Sequence, residues 1–258
     1  MILDDIVRDR KKDYEKIIQN KPLEELKKEI KIEDNPEYKF YNLFKNNDFI
    51  FICECKHKSP SKGIIKEDYN YLDIAKEYER SGASAISCLT EPNYFLGSDK
   101  HLMDIKKNVN IPVLRKDFII SEYQIYESKV LGADAILLIV RILTKEELKK
   151  YIDLAHKLKL GVLVECHSEE EIDIAISCGA KVIGVNNRNL KDFSMNYSLA
   201  LNLKKKYEDI ILISESGLRN KDDVKMVYDA KMNGCLIGES LMRSDNISKT
   251  LGEYIHVC

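Results

Sequence analysis

Several stretches of this 258-residue sequence place ionisable residues at the ends of apolar runs. Residues 50–55 are apolar except for Glu54, and Lys56 follows two positions later. Lys116 ends "PVLRK", Glu165 sits in "GVLVEC", and Asn186, Asn187 and Arg188 close the run that begins "KVIGV". In a strand, successive side chains alternate between faces. Glu54 and Lys56 then share one face while Cys53 and Cys55 take the other, and Lys116 goes with Phe118 while Arg115 goes with Asp117. One face thus collects two carboxylates, two lysines, an asparagine and an arginine. Lysines and glutamates within reach of one another shift each other's proton affinity, which suits general acid–base chemistry near neutral pH. Any one of these residues reads equally well as an ion pair or a cap; their recurrence at successive run ends argues for a site.

Two further run ends carry a different chemistry. "SESGLRN" (214–220) and "IGESLM" (237–242) put small residues where a helix should begin. Backbone N–H groups exposed at such a place hold phosphate, helped by the helix dipole. Gly217 and Gly238 would let the backbone approach the phosphate oxygens, although both could simply form tight turns.

These residues need a scaffold that brings many strand ends together. Eight apolar runs recur: 50–55, 83–89, 111–117, 134–140, 161–166, 181–187, 209–216 and 234–240. Runs this continuous are typical of strands covered on both faces. Between them lie amphipathic stretches such as 144–159 and 168–178, opened by Thr144 and Ser168, each with glutamate three residues on as in a capping box. A glycine stands at five of the helix-to-strand joins, namely Gly82, Gly132, Gly161, Gly179 and Gly234, as a left-handed helix terminator would. Eight such units over about 210 residues predict an α/β fold, a (β/α)8 TIM barrel, whose active site lies at the strand C-termini and whose phosphate site follows strands 7 and 8. The rival doubly wound sheet would carry a glycine-rich loop after its first strand, and G-x-G-x-x-G is absent. Helical periodicity over 2–20 and 22–31 predicts an N-terminal helical extension, residues 1–48, to a single barrel domain spanning 1–258.

Composition narrows the function classes. Hydrophobic residues make up 44% and charged residues 33%, with 41 basic against 43 acidic side chains and a formal charge of -2. That balance predicts no nucleic-acid surface, and the lysine-rich stretches alternate with acids as solvated helix faces do. No run approaches the roughly 20 apolar residues of a membrane span, and the acidic, amphipathic N-terminus fits neither a secretory signal nor a transit peptide. The seven cysteines form no regular framework and are expected as buried free thiols in a reducing cytoplasm. Cys53-x-Cys55 has no further ligands at metal-site spacing, so no metal is expected.

The motifs "ECKHKSPSKG", "EPNYFLGS", "LRKDFIISEYQI", "LVECHSEEE", "IGVNNRNL", "ISESGL" and "LIGESLMR", in this order and with the helix "ILDDIVRDRKKDYE" ahead of them, resemble indole-3-glycerol phosphate synthase of tryptophan biosynthesis. The resemblance covers nearly the whole chain. It implies a carbon–carbon lyase that converts 1-(2-carboxyphenylamino)-1-deoxyribulose 5-phosphate to indole-3-glycerol phosphate, losing CO2 and water, without cofactor or metal. It also implies Lys116 as the general acid on the carbonyl oxygen, with Glu54, Lys56 and Glu165 as candidates for the acid and base of the dehydration. Lys56 could instead pair with the substrate carboxylate or phosphate. By the same resemblance Asn186 and Arg188 lie near the anthranilate end and the ring-closing centre, and Ser59 at a family loop position. Phe95, Phe118 and Leu137 resemble the aromatic pocket, and Ser216, Gly217, Gly238 and Glu239 the phosphate cradle. The partner implied is the phosphorylated small molecule alone, handled by a monomer; association with other tryptophan-pathway enzymes is compatible with it.

Two positions depart from the family pattern. His57 stands where Arg or Lys is frequent, and Glu239 where serine is common; a Glu239 carboxylate turned toward the phosphate would be harmful. Phosphoribosylanthranilate isomerase, another phosphate-binding barrel, would need a Cys/Asp pair in the site. A non-catalytic regulatory barrel would not need Glu54, Lys56, Lys116, Glu165 and Asn186 together. The short stretch after the eighth run leads us to expect no fused isomerase domain.

Overall fold

The computed structural model describes residues 2–30, 38–188, 203, 206, 207 and 209–258. Lys31 of the second predicted helix, and Asn189 and Leu190 of the "IGVNNRNL" motif, lie outside the described residues. The eight predicted runs form eight strands: β1 (Ile50–Cys55), β2 (Ala85–Leu89), β3 (Val113–Lys116), β4 (Ala135–Ile139), β5 (Gly161–Cys166), β6 (Val182–Asn186), β7 (Ile211–Glu215) and β8 (Gly234–Ile237). Each pairs in parallel with the next, and β8 pairs with β1, so the sheet closes into a barrel. The fold is the predicted (β/α)8 barrel.

Two apolar layers follow from the alternation along each strand. Ile50, Ile52, Leu114, Leu163 and Ile213 pack inside the barrel. Their neighbours, including Phe51, Cys53, Cys55, Val113 and Val164, pack outward against the helices. Among the described residues the outer helices include α4 (Tyr71–Arg80), α5 (Asp99–Asn108), α6 (Glu122–Val130), α7 (Lys145–Lys157), α8 (Glu169–Ser177), α9 (Lys221–Asp229), α10 (Glu239–Met242) and α11 (Ile247–Ile255). Thr144 forms the full capping box with Glu147. At Ser168 only half of the predicted box exists: the Ser168 hydroxyl accepts from the Glu171 N–H at 3.3 Å, but the Glu171 carboxylate accepts from the His167 N–H at 2.7 Å instead of returning to Ser168.

The glycine rule also needs amendment. Gly82, Gly132 and Gly179 are left-handed, whereas at the other two joins the left-handed residues are Lys159 and Lys231. Gly161 and Gly234 are required for space: a Cβ would lie 2.7 Å from the Phe40 ring and 2.5 Å from the Ile50 carbonyl oxygen.

Among its described residues the N-terminal extension supplies three helices, α1 (Ile2–Asn20), α2 (Leu23–Lys28) and α3 (Lys39–Asn46). The second is shorter than the periodicity suggested, and α3 was not foreseen. Its Phe40 is fully buried among the strand starts and closes the lower mouth of the barrel. At the opposite mouth α1 is tied down by charge. Arg10 donates to Asp117 at 2.7 Å, and Tyr14 and Glu127 meet the guanidinium of Arg115 at 3.1 and 2.8 Å. Arg115 is 0% exposed and also bonds Asp99, Thr90 and Ser128. Such a cluster is tolerable only because nearly every donor and acceptor is met.

Candidate active site

The C-terminal ends of the strands open on a cavity of ≈ 1080 Å³. Every site residue predicted above lines it. Their convergence follows from register: Leu89 pairs with Lys116, Ile139 with Glu165, and Asn186 with Glu215, so the charged ends lie at one level of the barrel.

At its centre Lys116 donates to Glu165 Oε2 at 3.2 Å and stands 3.8 Å from Glu215 Oε2. The other oxygen of Glu165 accepts from Asn186 Nδ2 at 3.1 Å. Asn186 Oδ1 in turn accepts from the Arg188 N–H at 3.0 Å, which fixes the amide's orientation. Lys56 donates to Glu54 across the strand end, in the side-by-side arrangement that alternation requires. Burial penalises the charge on Lys116, but the carboxylates of Glu165, Glu215 and Glu54 more than offset it and push its pKa up. Burial likewise opposes ionisation of Glu165, yet Lys116, His167 and Asn186 hold it well below the carboxylate range. Glu54 is lowered against its own burial chiefly by Lys56 and Lys116.

Glu215 is the residue that sequence reasoning missed. The face carries three carboxylates, not two, because "SESG" drew attention only as a phosphate turn. Glu215 is 2% exposed, and burial together with Glu165 and Glu54 drives its pKa upward, against the pull of Lys116. Its one signal in sequence is Gly184 on the neighbouring strand: a Cβ there would lie 1.8 Å from Glu215 Oε1. Gly238 likewise makes room for Glu54, whose Oε2 would lie 2.5 Å from an added Cβ. Glu91, also missed, organises the loop after β2. Its carboxylate accepts from the N–H groups of Asn93, Tyr94 and Phe95 at 2.9, 2.7 and 3.0 Å, presenting Phe95 to Phe118 with ring centroids 6.0 Å apart.

The remaining predicted residues frame this centre. In the eight-stranded ring β2 to β4 face β6 to β8, so the apolar wall of Phe95, Phe118 and Leu137 lies across the barrel from Ser216, Gly217, Gly238 and Glu239. Ser216 and Gly217 are both left-handed, with φ of 66° and 87°, so the chain turns sharply where β7 ends. The Glu239 carboxylate bonds Arg243 Nε at 3.1 Å and lies 3.8 Å from Arg188, so cations balance it. The loop after β1 folds into a two-residue ladder, Lys58–Ser59 with Gly63–Ile64, and Arg188 Nη1 donates to its Ser61 at 2.7 Å, latching that loop across the mouth. Ser59 is buried beneath it. His57 does not line the cavity; its ring stacks on Tyr69, 4.8 Å between centroids and 6° apart. Cys53 and Cys55 point into the helix layer.

A model of the indole-3-glycerol phosphate synthase family matches residues 3–254. The chain belongs to the indole-3-glycerol phosphate synthase family. Proteins of that name from Endomicrobium trichonymphae and Ruminiclostridium cellulolyticum are similar to it, at 46% and 45% identity over 255 residues, covering 98% of this chain and 99% and 98% of theirs. Among solved structures, thiamine phosphate pyrophosphorylase from Pyrococcus furiosus superposes with a TM-score of 0.62 at 14% identity, covering 82% of this chain and 96% of that one. KGPDC from Streptococcus mutans gives 0.64 at 11%, over 81% and 96%. Those two likenesses concern the barrel alone.

Proposed function

We infer that this chain closes the pyrrole ring of 1-(2-carboxyphenylamino)-1-deoxyribulose 5-phosphate, releasing CO2 and water, with Lys116 as the general acid. The observation that carries this reading is the position of Lys116 Nζ, central in the cavity and held by Glu165 and Glu215. The aromatic ring takes the wall of Phe95, Phe118 and Leu137, and the phosphate takes the turn of Ser216 and Gly217 with the backbone at Gly238 and Glu239. The ketone carbon then falls between them. As the aryl carbon attacks that carbon, negative charge grows on the carbonyl oxygen, and an alkoxide is a stronger base than an amine, so Lys116 gives up its proton despite its raised pKa. Arg188 and Asn186, at the end of β6, hold the anthranilate end. Ser59 binds from the covering loop.

Dehydration needs one acid for the departing hydroxyl and one base for the C1′ proton. Glu54, held ionised, is the base and Lys56 beside it the acid. Glu165, bonded to Lys116, is the relay that takes up a proton and passes it on to the lysine after the condensation. An isomerase of the Cys/Asp kind finds no support, since no cysteine is among the residues lining the cavity. The same reading takes residues 1–258 as one barrel domain with residues 1–48 as its extension, working as a monomer. Seven unpaired cysteines suit a reducing compartment, in line with a cytoplasmic enzyme. No described helix is long and apolar enough to cross a membrane. The test is direct: supply the carboxyphenylamino deoxyribulose phosphate and follow indole fluorescence. Steady growth is expected, and its absence with folded protein would contradict the reading.

A further inference from the structure

The reaction inferred above consumes a proton. The substrate carboxylate leaves as neutral CO2 and the hydroxyl as neutral water, so one negative charge disappears and one H+ must enter per turnover. During that turnover the substrate fills the mouth of the cavity. A second approach to Glu165 exists on the helix side. His167, two residues beyond Glu165, has its side chain 4% exposed and is not among the cavity-lining residues. Its Nε2 lies 3.3 Å from Glu165 Oε1, and its Nδ1 lies 3.4 Å from Glu171 Oε2. Neither nitrogen meets the angular requirement for a hydrogen bond to any described residue, so the ring stands between two carboxylates with no competing partner. Glu171 is partly exposed; its other oxygen accepts from Arg141 Nε and Nη2 at 3.0 and 2.9 Å. The groups facing the ring are thus Glu165 from β5 and Glu171 from α8. Arg141, in the turn after β4, and Lys116, on β3, stand one contact further out. This is also where the capping box is broken: Glu171 leaves Ser168 and turns to His167.

We propose that His167 is a positioning residue that links Glu165 to Glu171 and feeds the catalytic centre its proton from the helix side. Ionised carboxylates only accept hydrogen bonds, so a ring between two of them is satisfied when each contact holds one proton. In the feed step Nε2–H passes its proton to Glu165 Oε1 and Nδ1 takes one from the Glu171 carboxyl, which water has protonated. Each contact again holds one proton, all moved one place inward. Exchange with water after product departs restores the starting tautomer. Hydrogen bonds from the His167 backbone N–H and from Arg141 hold Glu171 below the ordinary carboxylate value despite its burial.

The inference rests on Glu165 being catalytic, and the experiment separates the two. Turnover and KM are measured for Glu165→Gln, His167→Gln, Glu171→Gln and the double variant Glu165→Gln/His167→Gln. We expect His167→Gln to lower kcat by about 10-fold or more, within the range for lost acid–base assistance, with KM within about twofold. Glu171→Gln, whose side chain is nearer the surface, should reproduce the direction of the effect even if His167→Gln folds poorly. In the Glu165→Gln background, His167→Gln should cost less than about twofold, because groups acting as a unit are not additive. Unchanged kcat in both single variants would overturn the proposal, and so would an equal loss from His167→Gln with and without Glu165. Full activity of Glu165→Gln would instead remove the reading of the site on which the proposal stands.

Discussion

Three carboxylates, Glu54, Glu165 and Glu215, face two lysines, Lys56 and Lys116, within one buried site. The excess negative charge falls on the group with the weakest pairing. Glu215 reaches Lys116 only at 3.8 Å and is the one whose pKa rises. A carboxyl whose folded pKa is raised contributes its full stability below the ordinary carboxylate value and loses it as pH rises through the raised value. The melting temperature of Glu215→Gln relative to the wild type should therefore rise between about pH 4 and about pH 9, by an amount on the order of 2–4 °C for each kcal/mol recovered. Thermal melts at both values check this; a difference that stays level or falls toward the higher pH would show that Glu215 is ionised and paired. Alternation made Glu54, Lys56 and Lys116 legible in the sequence, because a period of two fixes which side chains share a face. Glu215 obeys the same rule and was passed over because the small residues around it already had a phosphate-binding reading. His167 was beyond reach by another route: its second partner, Glu171, had been assigned to a helix cap.

At the scale of elements, the strand end that carries Lys116 is braced from behind. Asp117, between Lys116 and Phe118, accepts from Arg10 of α1 and from Thr90, each at 2.7 Å, and from the Phe118 N–H at 2.8 Å. The N-terminal helix is therefore part of what holds Lys116 and Phe118 in place. Arg10→Met removes one member of a buried pair and should cost about 3–5 kcal/mol. Hydrogen exchange should show faster opening in α1 and around Phe118 than in β5 to β7. Uniform protection across these segments would mean that α1 is not coupled to the strand end. The outward direction of Arg115 and Asp117 could be read from "LRKDF", but their partners could not. Arg10 lies 107 residues from Asp117 in sequence, and no local pattern links them. The helix α3 escaped for a related reason, since Phe40 earns its burial only when the barrel is closed above it.

The whole molecule is a barrel whose outer layer holds most of its thiols. Cys53, Cys55, Cys88, Cys166 and Cys235 are buried, and burial pushes their pKa values well up. Thiolate is the reactive form, so native protein at about pH 8 should leave these five unmodified by iodoacetamide until it unfolds. Mass spectrometry of the native and denatured protein measures this, and rapid native labelling would show that the helix layer opens locally. The repeat of apolar runs and turns made this architecture readable, whereas the contacts that tune the site are long-range and chemical. The central claim is that Lys116 donates the proton which lets the ring close. Lys116→Ala, assayed by indole fluorescence and by equilibrium binding of the carboxyphenylamino deoxyribulose phosphate, tests it most directly. The expected result is a loss of about 10²–10⁴-fold in kcat with Kd changed only a few-fold. Wild-type turnover at saturating substrate, with binding weakened, would contradict it.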